Sequence, residues 1–338
     1  MRKHLHHMEG RNLLSGIEVR QEDQPEIVEK EEVVRTRHGP VKVVVQGDNP
    51  KDTIITYHDV GLNYRTCFKP FVNHPKIQHM FAHFRVIHIN APGQEDEAEK
   101  TKYRDKYPNM EGLAEQVEDI VQYYGVKYMV GMGVGAGANV LMQHAVKYPK
   151  YVRGLILISP DELIPNWLEW SFLMSSLSAL SWVGVTNYVT NYLLQRYFSI
   201  KTYNTNTDLC ESTRRHIKGL KANNLHKYLK AHAYRKDLTK EIKDFKGRTM
   251  VFVGKGSLQE EGAIDINSGI GRPGDSSLLE IEDRSGLITT EDPEVLAEPL
   301  MLYFGGLGYY LRPAAVRNPE EEEKEQDEED KSDEEGEE

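Results

Sequence analysis

Residues 128–139 read Y-M-V-G-M-G-V-G-A-G-A-N, and the organisation of the rest of the chain can be worked out from this stretch. An apolar run stops at a glycine, turns within a few residues and continues as the small-residue face of a predicted helix that reaches Tyr148. Pro149 follows, and proline ends a helix because it lacks the amide hydrogen and clashes with the preceding turn. The stretch therefore predicts a buried strand, a sharp turn and a helix, in that order.

A strand-to-helix turn of this kind is typical of the nucleophile elbow of α/β-hydrolases, G-x-S-x-G, in which a strained backbone presents a serine above the sheet. In the frame Gly131-Met132-Gly133-Val134-Gly135, the nucleophile position is Gly133. We therefore predict a degenerate elbow at Gly131, Gly133 and Gly135 that keeps the turn and lacks the catalytic side chain.

The same glycines allow a second interpretation, a dinucleotide-binding turn. Gly131, Gly133 and Ala136 fit G-x-G-x-x-A, and Asp161 follows at roughly the distance of the acidic residue that binds ribose. That fingerprint belongs after the first strand of its unit, however, whereas this turn follows a predicted strand–helix–strand unit at residues 53–89. We favour the structural elbow and predict no cofactor.

Composition narrows the function classes. The chain has 338 residues and a net charge of −11, and residues 320–338 hold 14 acidic side chains against two lysines. The rest of the chain is close to neutral, so clustered phosphate-binding cations, and with them nucleic acid as a partner, are not expected. Cys67 and Cys210 have no disulfide or metal-ligand spacing, which favours a reducing, cytoplasmic location and no metal. Residues 1–10 lack an apolar stretch, so we expect no secretory signal.

Along the chain, predicted strands alternate with predicted helices. This alternation favours a mostly parallel central sheet with helices on both faces, an α/β-hydrolase fold. We predict four parts: a flexible segment at 1–29, an α/β domain at 30–159 and 237–312, a helical cap insertion at 160–236 and a disordered acidic tail at 313–338. The predicted strands are 32–37, 41–46, 53–57, 85–89, 126–130, 152–158, 249–253 and 277–281.

The predicted cap is rich in aromatic residues and carries no charge from Trp170 to Gln195. About 20 apolar residues suffice to cross a bilayer, but nine serine, threonine and asparagine residues interrupt this stretch. We therefore predict helices that cover the sheet rather than a transmembrane span, and their aromatic residues also fit peripheral contact with a membrane. Trp167, Trp170 and Trp182 are the candidate residues for binding protein partners.

A hydrolase of this fold needs a nucleophile, an acid and a histidine, with the histidine after the last strand. The last histidine here is His232, before the strand at 249–253, and the loop after the last strand offers Gly286-Leu287. We therefore predict that the chain is not an enzyme.

The loop after the strand at 53–57 has residual pocket candidates, His58, Asp59 and Gly61, where hydrolases place part of the oxyanion hole. An atypical hydrolase or lyase that uses His58 and Asp59 as acid and base is the alternative function. The interpretation we favour is a loop that these side chains hold by hydrogen bonds.

Five motifs carry a resemblance to a known family: Y-H-D-V-G-L-N at 57–63, T-C-F at 66–68, H-I-N-A-P-G-Q at 88–94, Y-P-x-M at 107–110 and G-M-G-V-G-A-G-A at 131–138. On these the chain resembles the N-myc downstream-regulated (NDR) family, a non-catalytic branch of the α/β-hydrolase superfamily. The resemblance implies a cytoplasmic adaptor in signal transduction, linked to stress response, growth and differentiation, and vesicle trafficking.

The chain departs from the family pattern at two places. Asn90 stands where aspartate is common, and the C-terminus is acidic where some relatives have a serine- and threonine-rich tail. Ser332, in S-D-E-E, is the candidate phosphorylation site.

Overall fold

The sheet combines an antiparallel hairpin with a series of strands that alternate with helices. The described part of the chain opens with an antiparallel hairpin, in which the strands Glu29–Thr36 and Gly39–Gln46 pair across a tight turn. After it, short apolar strands alternate with helices, and such strands pair in parallel because a helix carries the chain back across the sheet. The structure, a computed structural model, describes residues 28–47, 52–100, 107–161, 164–270 and 275–309.

The described chain forms one eight-stranded sheet in the order β1-β2-β4-β3-β5-β6-β7-β8. The pairs β1/β2 and β2/β4 are antiparallel and the other pairs are parallel. The strands are β1 (Glu29–Thr36), β2 (Gly39–Gln46), β3 (Thr53–Tyr57), β4 (Arg85–Ile89), β5 (Met129–Val134), β6 (Val152–Ile158), β7 (Arg248–Gly254) and β8 (Ser276–Ile281).

Helices occupy most of the connections in the described ranges. They are α1 (Tyr64–Cys67), α2 (Lys69–Val72), α3 (Pro75–Phe81), α4 (Met110–Tyr123), α5 (Ala136–Lys147), α6 (Trp167–Trp182), α7 (Asn187–Tyr197), α8 (Ile200–Thr205), α9 (Thr207–Gly219), α10 (Ala222–Ala233), α11 (Glu260–Gly269), α12 (Ile288–Glu291) and α13 (Ala297–Gly306). Short 3₁₀ turns lie at Pro149–Tyr151, Glu241–Asp244 and Pro293–Leu296.

The prediction of a mostly parallel sheet with a helical insertion is confirmed by this order, and β3, β4 and β6 have the predicted bounds. Five helices, α6 to α10, lie between β6 and β7; we call them the cap helices. All described residues fall in one compact unit, Glu26–Leu311. Of the predicted flexible segment 1–29, residues 1–27 lie outside the described residues, whereas Glu29 already begins β1, because it pairs with Gln46. The predicted disordered tail at 313–338 also lies outside the described residues.

Most other strands differ from their predicted bounds by a few residues, and two elements differ more. The spacing of Leu296, Leu300 and Phe304 predicts a single terminal helix at 291–305. The structure has instead a 3₁₀ turn at Pro293–Leu296 followed by α13, since Asp292 has non-helical backbone angles. The strand expected at 126–130 runs instead to Val134, because the glycines at 131 and 133 continue the ladder with β3 and β6. This second difference moves the turn that follows.

Candidate functional site

The sharp turn after β5 is centred on Gly135, two residues later than the sequence frame places it. Gly135 has φ +52° and ψ −117° and precedes α5. The predicted position, Gly133, lies inside β5, where an added Cβ would be 2.6 Å from backbone atoms of Ala138. The frame that corresponds to G-x-S-x-G is therefore 133–137, and its central residue is again a glycine without a side chain.

The carboxylate of Asp59 fills the space beside this turn. A Cβ added to Gly135 would lie 2.5 Å from Oδ1 of Asp59 and closer still to its carboxyl carbon. Oδ1 accepts hydrogen bonds from the Val60 N–H at 2.7 Å and from the Ala136 N–H at 2.8 Å. The N–H after the nucleophile and one from an earlier loop form the oxyanion hole of hydrolases. In this chain Asp59 accepts from both of the corresponding groups.

This arrangement is unfavourable for the dinucleotide interpretation. A pyrophosphate binds to free N–H groups at the start of a helix, but the Ala136 N–H at the start of α5 is bonded to Asp59. The glycine at 137 has a packing role, since a Cβ there would come far inside 3.0 Å of the Tyr57 carbonyl. The glycines thus serve the turn and the contact between α5 and β3.

His58 is fully buried and both of its ring nitrogens are bonded to backbone. Nδ1–H donates to the Asp59 carbonyl at 2.8 Å, and Nε2 accepts from the Ala91 N–H at 2.9 Å. Burial lowers the pKa of His58 to about 4, although the bond to the Asp59 carbonyl opposes this change. The imidazole is therefore neutral near pH 7 and its nitrogens are engaged. These contacts match the interpretation that it holds the loop.

The cap helices close over the same loop. The Tyr197 hydroxyl donates to the Val60 carbonyl, and the Tyr228 hydroxyl donates to the His58 carbonyl at 2.9 Å. Gly61 has φ +75°, and an added Cβ would lie 3.0 Å from Leu193 Cδ1. Side chains of α7 and α10 thus pack directly against the loop after β3.

A buried series of charged groups links the loop to the cap helices. Arg196 of α7 contacts Asp161 at 2.7 Å and Asp59 at 3.5 Å, and His232 of α10 contacts Asp161 at 2.9 Å. Burial raises the pKa of Asp59 above its ordinary value, and the nearby Arg196 guanidinium only partly opposes this rise. At Asp161 the guanidinium and His232 together prevail, and they hold the pKa of that carboxyl below its usual range. Asp161 is therefore the ionised partner of Arg196.

Asp161, Glu169 and His232 place possible ligand atoms within 4.8 Å of one another. Two guanidinium groups already bind this trio, Arg196 at Asp161 and Arg235 at Glu169, the latter at 2.9 Å. A metal ion would have to sit beside both of these cations, so the residues do not fit a metal site.

The loops after β7 and β8 are closed by backbone contacts. A Cβ at Gly254 would come far inside 3.0 Å of the Arg284 carbonyl, and one at Gly286 would clash in the same way with the Arg196 carbonyl. The Gly286 N–H also donates to that carbonyl at 3.0 Å. The end of α7 is thus bonded by its backbone to the loop in which a hydrolase carries its histidine.

Residues 31–311 match the Ndr family. The chain belongs to this family. It is 34% identical over 294 residues to the NDRG-like protein of Dictyostelium discoideum, covering 86% of this chain and 90% of that one. It is 34% identical to Protein NDL3 of Arabidopsis thaliana, with 85% and 84% covered, and 33% identical to Protein NDRG1 of Xenopus tropicalis, with 90% and 78% covered.

Solved structures agree with the fold of this Ndr-family chain. An esterase from Thermogutta terrifontis superposes with a TM-score of 0.70 at 17% identity, covering 83% of this chain and 100% of the esterase. An enol-lactonase from Burkholderia xenovorans LB400 superposes with a TM-score of 0.69 at 14% identity, with 81% and 100% covered. At such low identity these likenesses establish the α/β-hydrolase fold alone.

The tryptophans predicted to bind partners of the Ndr-family chain do not share one environment. Trp167 and Trp182, at the two ends of α6, are 80% and 89% exposed. Trp170 is only partly exposed and packs edge-on against Tyr234, with ring centroids 5.2 Å apart. Among the described residues no helix is long and apolar enough to span a membrane. Ser332 lies outside the described residues.

A cleft of about 670 Å³ lies between the α7–α8 region and the loops after β7 and β8. Its cations are bonded to neighbouring acids: Lys201 contacts Asp283 at 2.9 Å and Lys255 contacts Glu282 at 2.7 Å. The cleft is open beside the cap helices, whereas the glycine turn beneath them is closed.

The sequence interpretation missed the partners of Asp59, above all Arg196 and Asp161. One signal could have pointed to Arg196, because it is the first charged residue after the uncharged stretch from Trp170 to Gln195. A lone charge in an apolar segment is expected to be buried with a partner. Nothing local indicates that the partner is Asp161.

Proposed function

We propose that this chain is a non-enzymatic adaptor of the NDR type that acts in the cytoplasm and binds protein partners through its cap helices. The single observation that carries the proposal is the filling of the glycine turn. Asp59 accepts the N–H groups that would stabilise an oxyanion, and Gly135 has no side chain to attack a substrate. Roles in stress response, growth and differentiation, and vesicle trafficking belong to the same proposal.

The chemistry of the groups around the turn supports a protein without turnover. Acid–base catalysis needs a group with free proton-transfer capacity within reach of substrate. His58 is neutral and bonded to backbone through both nitrogens, and α7 and α10 cover the loop. These contacts weigh against the alternative of an atypical hydrolase or lyase based on His58 and Asp59.

An assay of the purified chain against short-chain nitrophenyl and thioester substrates tests whether it lacks enzymatic activity. We expect hydrolysis at the rate of the buffer. Turnover that survives His83→Gln, at an exposed histidine, but is lost in His58→Gln would refute the non-enzymatic proposal and establish the alternative.

Support for partner binding through the cap comes from the outer side of α6. Large apolar side chains are exposed there, and exposed apolar patches on a soluble protein often mark interaction sites. Tryptophan is enriched at protein interfaces and at membrane–water boundaries because its ring is apolar and its N–H is polar. Peripheral membrane contact through this helix is therefore part of the proposal. The exposed apolar side chains of α6 are Trp167, Leu168, Trp170, Phe172 and Trp182, and Val183 follows directly after the helix.

Proximity labelling in cells tests where partners bind. We expect the double variant Trp167→Ala/Trp182→Ala to lose neighbours that the unchanged chain labels. Tyr123→Ala is the matched control, since Tyr123 is a large exposed aromatic residue on α4. An identical set of neighbours for all three proteins would refute binding through the cap.

The acidic residues 320–338 form a second candidate surface, for basic partners. Phosphorylation at Ser332 would add further negative charge there. Neighbours lost on deletion of 320–338, but kept in the tryptophan variant, would place binding on the tail. Ser332→Ala separates the effect of phosphorylation from that of the acidic residues.

A further inference from the structure

We propose that Asp59 is a built-in ligand: the chain's own carboxylate occupies a cradle at the glycine turn that would otherwise bind a small carboxylate. The inference concerns the interior of the molecule and does not depend on which partners bind the cap helices. It rests on converging hydrogen bonds, on the space at Gly135 and on the charge that faces the carboxylate.

Two N–H groups from separate elements converge on one oxygen of Asp59. The Val60 N–H belongs to the loop after β3, and the Ala136 N–H begins α5, a helix of twelve residues. The start of a helix carries partial positive charge, and paired N–H donors aimed at a single oxygen are the usual arrangement for binding an oxyanion. The donors are therefore those of an anion site.

The Asp59 carboxyl group occupies the space directly beside Gly135. Gly135 has φ +52°, and a Cβ on it would overlap the Asp59 carboxyl group. In a hydrolase the serine side chain starts from this same point. The Asp59 carboxylate thus stands where nucleophile and substrate oxygen would meet.

The charged group that faces the carboxylate is held in place independently of it. Arg196 lies 3.5 Å from Oδ2 of Asp59, but it contacts Asp161 more closely, at 2.7 Å. Removing the carboxylate of Asp59 should therefore leave the guanidinium and both N–H donors in position. The class of ligand that fits the resulting space is a monocarboxylate of the size of formate or acetate.

Chemical rescue tests the proposal. The melting temperature of Asp59→Ala is measured in increasing sodium formate and in sodium chloride of equal ionic strength. We expect formate to raise the melting temperature of this variant by several degrees, with saturation, and chloride to give no saturable rise. Equal responses to formate and chloride would overturn the proposal.

Two further proteins exclude a general salt effect. In the unchanged chain the Asp59 carboxylate occupies the cradle. In Asp59→Asn a side chain of the same shape places its amide oxygen there. We expect neither to respond to formate more than to chloride. A formate response in Asp59→Asn as large as in Asp59→Ala would show that the anion acts elsewhere and would overturn the proposal.

A pair of variants with similar shape decides the question if Asp59→Ala does not fold. Asp59→Asn keeps an oxygen that accepts from both N–H groups, whereas Asp59→Leu fills similar space with no acceptor. We expect Asp59→Leu to lose at least twice as many degrees of melting temperature as Asp59→Asn, or to be recovered unfolded when Asp59→Asn is folded. Equal losses would reduce Asp59 to a space-filling residue and overturn the proposal.

Discussion

The glycine turn and the outer side of α6 lie in one compact unit, yet they differ in which side chains are exposed to solvent. At the turn, His58, Asp59 and Arg196 are buried and bonded within the chain. On α6, Trp167 and Trp182 are large apolar side chains that remain exposed. The side chains that a hydrolase would direct at substrate make internal contacts here. Exposed side chains that could contact another molecule lie on the cap helices.

Removing the buried guanidinium should have the largest effect on the interior. Arg196→Met leaves Asp161 buried without its closest cation, and breaking a buried ion pair in this way costs about 3–5 kcal/mol of the free energy of unfolding. Arg65→Met is the control, because Arg65 pairs with acids at the surface and such pairs contribute about 0–1 kcal/mol. Urea unfolding measures both, and equal losses would contradict the buried series of charges.

Crowding the turn should have the next largest effect. Gly135→Ala inserts a Cβ against the Asp59 carboxylate, whereas Gly256→Ala inserts one into open space at a similarly positive φ of +74°. Both variants place a Cβ on a residue with positive φ, so their difference reports the clash together with the ψ of −117° at Gly135. We expect Gly135→Ala to lose about 1–3 kcal/mol more than Gly256→Ala in urea unfolding. Equal losses would mean that Asp59 is free to move away from Gly135.

Acid should weaken the interior because buried histidines cannot readily take up a proton. Burial lowers the pKa of His58 to about 4, below the ordinary value of 6.5. Between these values the unfolded chain binds a proton that the folded chain does not. This contribution is therefore complete above pH 6.5 and is lost as the pH falls toward 4.

The slope of stability against pH isolates His58. One proton corresponds to about 1.4 kcal/mol per pH unit, so unfolding free energies of His58→Gln should depend on pH less steeply than those of the unchanged chain by up to this amount. His83→Gln is the control, since His83 is exposed. A slope that is unchanged in His58→Gln would contradict a neutral buried imidazole.

The exposed tryptophans of α6 should give the smallest effects on stability. Trp167→Ala and Trp182→Ala remove exposed side chains and should change the free energy of unfolding by no more than about 0.5 kcal/mol. Leu177→Ala, on the buried side of the same helix, should cost about 2–5 kcal/mol. A large loss of unfolding free energy in either tryptophan variant would mean that these rings stabilise the fold rather than serve to bind a partner.

Much of the fold could be predicted because its signals are local. The bounds of β3, β4 and β6 follow from apolar runs between turn residues, and the strand–helix alternation predicts a parallel sheet. The turn was placed two residues early because repeated glycines look alike in sequence. Only the ladder of β5 with its neighbours shows that Gly133 is in the strand and Gly135 at the turn.

Local sequence determined that this chain has the strand–turn–helix of an α/β-hydrolase, that glycines stand at its turn and that His232, the last histidine, precedes β7. The occupant of the turn was decided only in three dimensions. Asp59 is 77 residues from Ala136, and Tyr197 is 137 residues from the loop carbonyl to which it donates. Periodicity and turn chemistry act over a few neighbouring residues, whereas bonds between such distant groups form only when the sheet and the cap helices bring them together.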